Sequence, residues 1–358
     1  MKNNRRLTLS ALLLIAALTL TLLLPAVACS GTGTYSEGEG ELKVVCTNFP
    51  PFDFARVVGG EKATVSILQD TGADLHNYAP TSNAIMTIKN ADVLVCVGGT
   101  SDDVWLESAL GSANNPDLII VKLTEVASLL PTPDVISADK HDHGEHEDEH
   151  DHEGEHDHEG EHDHGEETDL EHGEECEHDH THDEHVWTSL KNAVKAVNAI
   201  AKAFGQADAA NASYYEANAK AYADKLNALD AMYAEAVSNA TNKTLIFADR
   251  FPFIYMTEDY GLSYHAAFSG CSTEVNASFE TTQRLIDAVK DEGVKYVMIA
   301  DASPDNPPAV ASTVASTAGV KILSLNSCQS ITRAKIEAGA TYLNIMTENL
   351  AVLTEALK

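Results

Sequence analysis

Basic residues are scarce in this chain: 23 Lys and Arg stand against 55 Asp and Glu, and none of the 23 lies between His141 and His185. There is no basic stripe, so nucleic acid is not expected as a partner. No Cys-x-x-Cys pair occurs, which removes a structural zinc knuckle. A His-Glu-x-x-His segment is missing too, and no nucleophile or triad signature replaces it. These gaps argue against an enzyme. A surface metallohydrolase with an open zinc position is the rival they weaken.

Histidine is concentrated instead. Fourteen of the sixteen lie in the His141–His185 window, interleaved with 22 acids. Outside it, 23 basic and 33 acidic residues leave a net charge of −10 out of the total −32. A run such as His141-Asp-His-Gly-Glu-His has no apolar periodicity and repels itself, so it cannot pack a core. A solvated acidic linker would account for the carboxylates. It would not need imidazole, which is the commonest protein ligand for zinc and its neighbours, so metal capture is the better reading.

Lys2, Arg5 and Arg6 precede the apolar stretch Leu7–Leu24, and the small residues Ala26, Val27 and Ala28 lead into Cys29. That is the layout of an export signal over residues 1–28. A retained membrane helix is the alternative, but the stretch ends at Pro25. A signal ending directly before cysteine resembles a bacterial lipobox, although Ala26 stands where Leu is more usual. On that resemblance Cys29 carries a lipid and becomes the first mature residue. Residues 29–41, rich in Gly, Ser, Thr and Glu, read as a flexible tether. About 330 residues follow the signal, enough for two ordinary domains. Cys46 and Cys96 sit in apolar runs and should be buried thiols. A disulfide between Cys271 and Cys328 is left open by spacing alone.

Two sets of short β-branched runs alternate with helical stretches. The first is Leu42–Thr47, Val65–Leu68, Val93–Val97 and Leu118–Leu123; the second is Thr244–Ala248, Ser263–Phe268, Tyr296–Ala300 and Lys321–Leu325. Such runs predict parallel sheets covered by helices on both faces, that is, two (β/α)4 doubly wound α/β lobes. Between them, Tyr215, Ala219, Tyr222, Leu226, Leu229, Tyr233 and Val237 are spaced by three and four without a proline. This stripe predicts one long, stiff helix joining the lobes. The expected organisation is a first lobe over 42–207 containing a disordered acidic loop at 137–184, a linking helix over 208–240, and a second lobe over 241–358. Ligands of such sheets sit beyond the carboxyl ends of the strands, so two facing lobes should share one cleft.

His76, in a Gly- and Asp-rich loop after the second strand, should project at the rim of that cleft. His185 closes the acidic run just before an amphipathic helix from about Leu190 to Phe204, for which Thr188 or Ser189 is the expected N-cap. Two histidines from one lobe make half of a tetrahedral zinc site, and the other half should come from the second lobe.

The segments Leu75-His-Asn-Tyr-Ala-Pro-Thr81 and Asp183-Glu-His-Val-Trp187, with the mid-chain helix, resemble the solute-binding proteins of zinc/manganese ABC transporters. Asp249-Arg-Phe-Pro-Phe253 and Tyr264-His-Ala-Ala-Phe-Ser-Gly-Cys271 resemble a Gram-positive branch of that family. The resemblance implies two lobes on a rigid helix with the metal between them and an ABC permease as docking partner; with the lipid on Cys29, a monomer anchored to the outer face of the membrane is expected. It implies the family's ligands only at His76 and His185. Many zinc members have a His-Asp pair where this chain reads Ala248-Asp249. Manganese members have an Asp where it reads Asn326-Ser327. By position, Asp249 and Glu274 are the first candidates in the second lobe and Asp301 the next; His265 starts its strand, at the wrong end for the cleft.

Zn2+ is favoured over Mn2+ by the imidazole-rich arm, while two histidines plus two carboxylates would also suit Mn2+, and nickel or copper stay open. The arm, tethered beside the cleft, would gather metal at many weak sites and pass it inward. A metal-buffering adhesin without a transporter is a further alternative.

Overall fold

In the structure, a computed structural model, residues 35–68, 78–136, 182–272 and 276–358 are described. The first lobe is built on strands β1 (Tyr35–Glu37), β2 (Leu42–Cys46), β3 (Ala63–Ile67), β4 (Val93–Cys96) and β5 (Ile119–Lys122). They lie in the order β1-β3-β2-β4-β5, all parallel except β1. The short edge strand β1 falls inside the stretch read as a tether. Tyr35–Glu37 instead pair antiparallel with Val65–Ile67, and the Ser36 and Ser66 hydroxyls meet at 2.8 Å. Polar composition hid this strand, because an edge strand needs ladder hydrogen bonds more than apolar side chains.

Alternation along β2 serves both faces of the sheet. Val44 and Cys46 enter the core under helices α1 (Phe49–Gly59) and α5 (Leu190–Ala207). Val45 turns the other way, towards α2 (Ser82–Lys89) and α3 (Thr100–Ala113). A fully two-sided strand of this kind reads as a continuous apolar run, which is why it was legible. A four-residue helix, α4 (Leu123–Val126), follows β5.

The second lobe has β6 (Thr244–Phe251), β7 (Ser263–Ser269), β8 (Tyr296–Ala300) and β9 (Lys321–Leu325), parallel and ordered β7-β6-β8-β9. Ile246, Ala248, Val297 and Ile299 pack against α8 (Phe279–Glu292) and α9 (Ala309–Ala318). Three further helices, α7 (Ile254–Tyr260), α10 (Arg333–Glu337) and α11 (Tyr342–Ala356), complete the lobe. Both sheets are therefore doubly wound. Their switch points fall at the ends of β2 and β4 in one, and of β6 and β8 in the other.

Helix α6 spans Ala212–Ser238, 27 residues, or about 40 Å at the usual rise. Its buried positions include all seven of the expected stripe, from Tyr215 to Val237. That stripe packs on α1 and α5 of the first lobe and on α11 of the second. Each large apolar side chain so buried contributes about 1.5–3 kcal/mol against exposure. Polar atoms are tied in as well: Tyr233 Oη donates to the Met346 carbonyl (2.6 Å), and the Tyr342 amide donates to the buried Asp53 Oδ2 (2.9 Å). One apolar core runs without a break from Leu42 to Leu357 through both lobes.

Candidate metal centre

His185 stands where the lobes meet, and its side chain is completely buried. The chain enters from His182, which forms an isolated bridge with Pro131, and Asp183 N–H donates to the Leu130 carbonyl at 3.0 Å. From the second lobe, the Tyr255 hydroxyl donates to the Asp183 carbonyl at 2.6 Å and accepts from Leu130 N–H at 3.2 Å. A single 3-10 turn, Val186–Thr188, follows, and Ser189 caps α5 by accepting from Asn192 N–H. Trp187 is buried beneath the turn. Its indole N–H donates to the Ser327 carbonyl at 2.7 Å, and its own carbonyl accepts from Tyr342 Oη at 2.6 Å. Thus Trp187, two residues after His185, fastens it to the second lobe.

The imidazole is held between two acceptors. Nδ1 lies 2.9 Å from Asp183 Oδ1, and Nε2 lies 3.0 Å from Gln329 Oε1 across the lobe boundary. With Nδ1–H donated to Asp183, the Nε2 lone pair would face another oxygen unless a proton or a cation intervened. Burial works against the imidazolium, but the Asp183 carboxylate and the two hydrogen bonds outweigh it, so the pKa of His185 is raised. The position attracts positive charge.

Gln329 is presented by a constrained turn. Cys328 has a φ of 64°, in the left-handed region that non-glycine residues seldom occupy. Asp301, itself at φ 60°, accepts from Ser327 N–H at 2.7 Å and from the Ser327 hydroxyl at 2.6 Å. Asn349 Oδ1 accepts from Asn326 N–H at 2.9 Å, and its amide group donates back to the Asn326 carbonyl at 2.7 Å. Against the other edge of the ring lies Gly270. A Cβ there would fall 2.8 Å from His185 Cε1 and 3.0 Å from Nδ1, so only glycine lets the chain pass this close. The next residue is Cys271. Donor atoms of Asp183, His185 and Cys271 all lie within 4.8 Å of one another.

His76 and Glu274, two of the four residues expected at the centre, lie outside the described residues. Asp249 differs from expectation. Strand β6 runs on to Phe251, so Asp249 is not in a free loop at its end. One Asp249 oxygen accepts from Arg250 N–H at 2.8 Å and the other from Ala300 N–H at 3.1 Å, which locks β6 to β8. Among the described residues, the cluster around His185 does not include it. Asp301 acts as the brace for Ser327 just described. His265 sits early in β7 with Nε2 3.7 Å from Glu292, away from the site as expected. None of the described cysteines, Cys46, Cys96, Cys271 and Cys328, forms a disulfide. Three members of the cluster escaped sequence reasoning: Asp183, Gln329 and Cys271. Asp183 could have been found from its place two residues before His185; a lone Gln or Cys gives no such signal.

Beside the centre, at the first sheet's switch point, two more acids are buried. Asp102 Oδ2 accepts from Gly98 N–H at 3.0 Å, and Glu184 Oε1 accepts from Ser101 N–H at 2.9 Å. Burial, with a smaller push from Glu184, raises the Asp102 carboxyl to about 6. A cavity of about 260 Å³ opens alongside, lined by residues that include Asp103, Glu125, His182 and Glu184. It adjoins the point where the acidic arm rejoins the fold.

Two doubly wound sheets on one long helix, with a buried histidine at their junction, are the architecture of a bilobal solute-binding protein. The chain belongs to the ZnuA family, described as zinc-uptake complex component A, periplasmic, whose model matches residues 44–356. It is 31% identical over 315 residues to the zinc-binding lipoprotein AdcA of Streptococcus pneumoniae, covering 88% of this chain. The chain spans 56% of that relative's length. The high-affinity zinc uptake system protein ZnuA of Bacillus subtilis is 28% identical, with 88% of each chain covered. Among solved structures, the Zn(II)-bound ZnuA-like domain of S. pneumoniae AdcA matches with a TM-score of 0.64 and 27% identity. That match covers 89% of this chain and 99% of the domain. The resemblance drawn from the Asp-Glu-His-Val-Trp segment and the long helix is therefore met.

Proposed function

We propose that this protein captures Zn2+ at the lobe junction, outside the cytoplasm, and delivers it to an ABC permease. The observation that carries the reading is His185, completely buried between Asp183 and Gln329 in a position that favours positive charge. Imidazole suits zinc better than manganese, and the similar proteins named above are zinc-binding or zinc-uptake proteins. His76 supplies a second imidazole and Glu274 a carboxylate from the loop after Cys271. Asp249 serves chiefly to join β6 to β8. The protein is a monomer held to the membrane by a lipid on Cys29, and it carries out no catalysis. Its histidine-rich arm gathers zinc near the cavity beside His182.

Native mass spectrometry of the mature chain, with zinc and manganese in competition, tests this. One zinc ion retained after mild chelation, and lost in His185→Ala, is the expected result. Retention of no ion, or of manganese in preference, would overturn it.

A further inference from the structure

We propose that Cys271 is a thiolate ligand of the cation held at His185, an assignment that rests on the zinc-capture reading. The fold delivers this cysteine by an unusual approach. At the end of β7 the backbone of Gly270 lies so close to the imidazole that a Cβ would stand 2.8 Å from Cε1 and 3.0 Å from Pro252 Cα. The side chain of the next residue then reaches the same space as Asp183 and His185. All three donor atoms lie within 4.8 Å of one another. Donors around tetrahedral zinc, with bonds of about 2.0–2.3 Å, are separated by roughly 3.3–3.8 Å. Small side-chain rotations close that gap.

A second observation points to a cation in this space. Asp183 is 1% exposed, and its Oδ1 is engaged by both the Nδ1 and the backbone N–H of His185. Its Oδ2 is buried and has no hydrogen-bond partner among the described residues. Half of a buried carboxylate is left without compensation, a costly arrangement that a metal ion relieves.

Charge argues in the same direction. A divalent ion taken out of water needs negative charge beside it. Imidazole is neutral, so within the cluster of Asp183, His185 and Cys271 the negative charge comes from the Asp183 carboxylate and a Cys271 thiolate. As the metal–sulfur bond forms, the thiol proton leaves to solvent. Sulfur adds to the selection that imidazole begins: thiolate favours zinc and copper over manganese, whereas carboxylate suits manganese as well. Cys271 therefore sets the metal preference of the cleft.

The test uses the full mature chain loaded with Co2+, whose thiolate complexes absorb by sulfur-to-metal charge transfer in the near ultraviolet. The wild type, Cys271→Ser and Cys176→Ser are compared, because Cys176 in the acidic arm is the competing thiol. Expected is a charge-transfer band in the wild type and in Cys176→Ser that disappears in Cys271→Ser. In parallel, zinc affinity of Cys271→Ser should fall by tenfold or more, with the zinc-over-manganese preference reduced. A band that survives in Cys271→Ser, or a cobalt-loaded wild type without one, overturns the assignment while leaving zinc capture standing. Failure of the wild type to retain any cation overturns both.

Discussion

Asp183 Oδ1 lies 2.9 Å from His185 Nδ1 and 2.8 Å from the His185 backbone N–H, so one oxygen fixes both the ring and the turn that carries it. This contact sets the tautomer, leaving Nε2 to face the second lobe. Partners of this kind commonly contribute 10–100-fold in metal affinity. Because its Oδ2 also faces the cation space, Asp183→Asn is expected to weaken zinc binding by at least that factor, measured by competition with a chromogenic chelator. An unchanged affinity would show that Asp183 does not position the ring.

The same contact predicts a pH dependence. The pKa of His185 is raised, because the Asp183 carboxylate and hydrogen bonds more than offset burial. Zinc must displace a proton from this ring, so affinity should begin to fall on acidification above the pH at which an ordinary histidine titrates. Chelator competition across a pH series checks this, and Asp183→Asn should move the onset to lower pH.

Gly270→Ala should damage the centre more than the fold. The added methyl would meet the His185 ring at 2.8 Å and Pro252 Cα at 3.0 Å. Overpacking of this kind costs about 1–3 kcal/mol. A lower Tm with native far-ultraviolet circular dichroism, and a clear loss of zinc affinity, is the expected combination. Full affinity in this variant would mean that the ring has room to move.

Asp102 offers a test of stability alone. Its folded pKa is about 6, above the ordinary 3.8, because the charged form is buried. The stability linked to this group is complete below the ordinary value and is lost as pH rises through about 6. At pH 7 the cost is about 3 kcal/mol, from roughly 1.4 kcal/mol per pKa unit. Asp102→Asn should therefore be the more stable protein at pH 7, and its advantage should vanish near pH 4. Urea denaturation at the two pH values measures the difference.

Removal of residues 141–181 should leave one tightly held zinc and abolish the weakly held ions. Counting bound zinc by mass spectrometry before and after dialysis separates the two populations. If uptake at scarce zinc proved equal with and without the arm, it would have no gathering role.

Most of the fold was legible because the strands are buried on both faces. Val93–Cys96 and Tyr296–Ala300 carry uninterrupted apolar runs, and the α6 stripe is set by a helical period that no proline breaks. The antiparallel strand Tyr35–Glu37 was missed since it stabilises itself through backbone pairing, which leaves little trace in side-chain pattern. At the centre, His185 was readable from its place at the border between a charged run and an amphipathic helix. Gln329 was not, because its proximity depends on a turn in which Cys328 takes an uncommon backbone conformation. Asp249 reads as a loop carboxylate because its strand runs three residues past the apolar run, which makes it a clasp between strands.

The unbroken core around Tyr222, Tyr233 and Tyr342 bears on how cargo could leave. Separating the lobes like jaws would expose those rings to water and tear the Trp187 and Tyr342 anchors at once. On the zinc-capture reading, release without parting the lobes would call for a local displacement, such as one of the Gly270–Cys271 bend, while the body of the molecule keeps its shape.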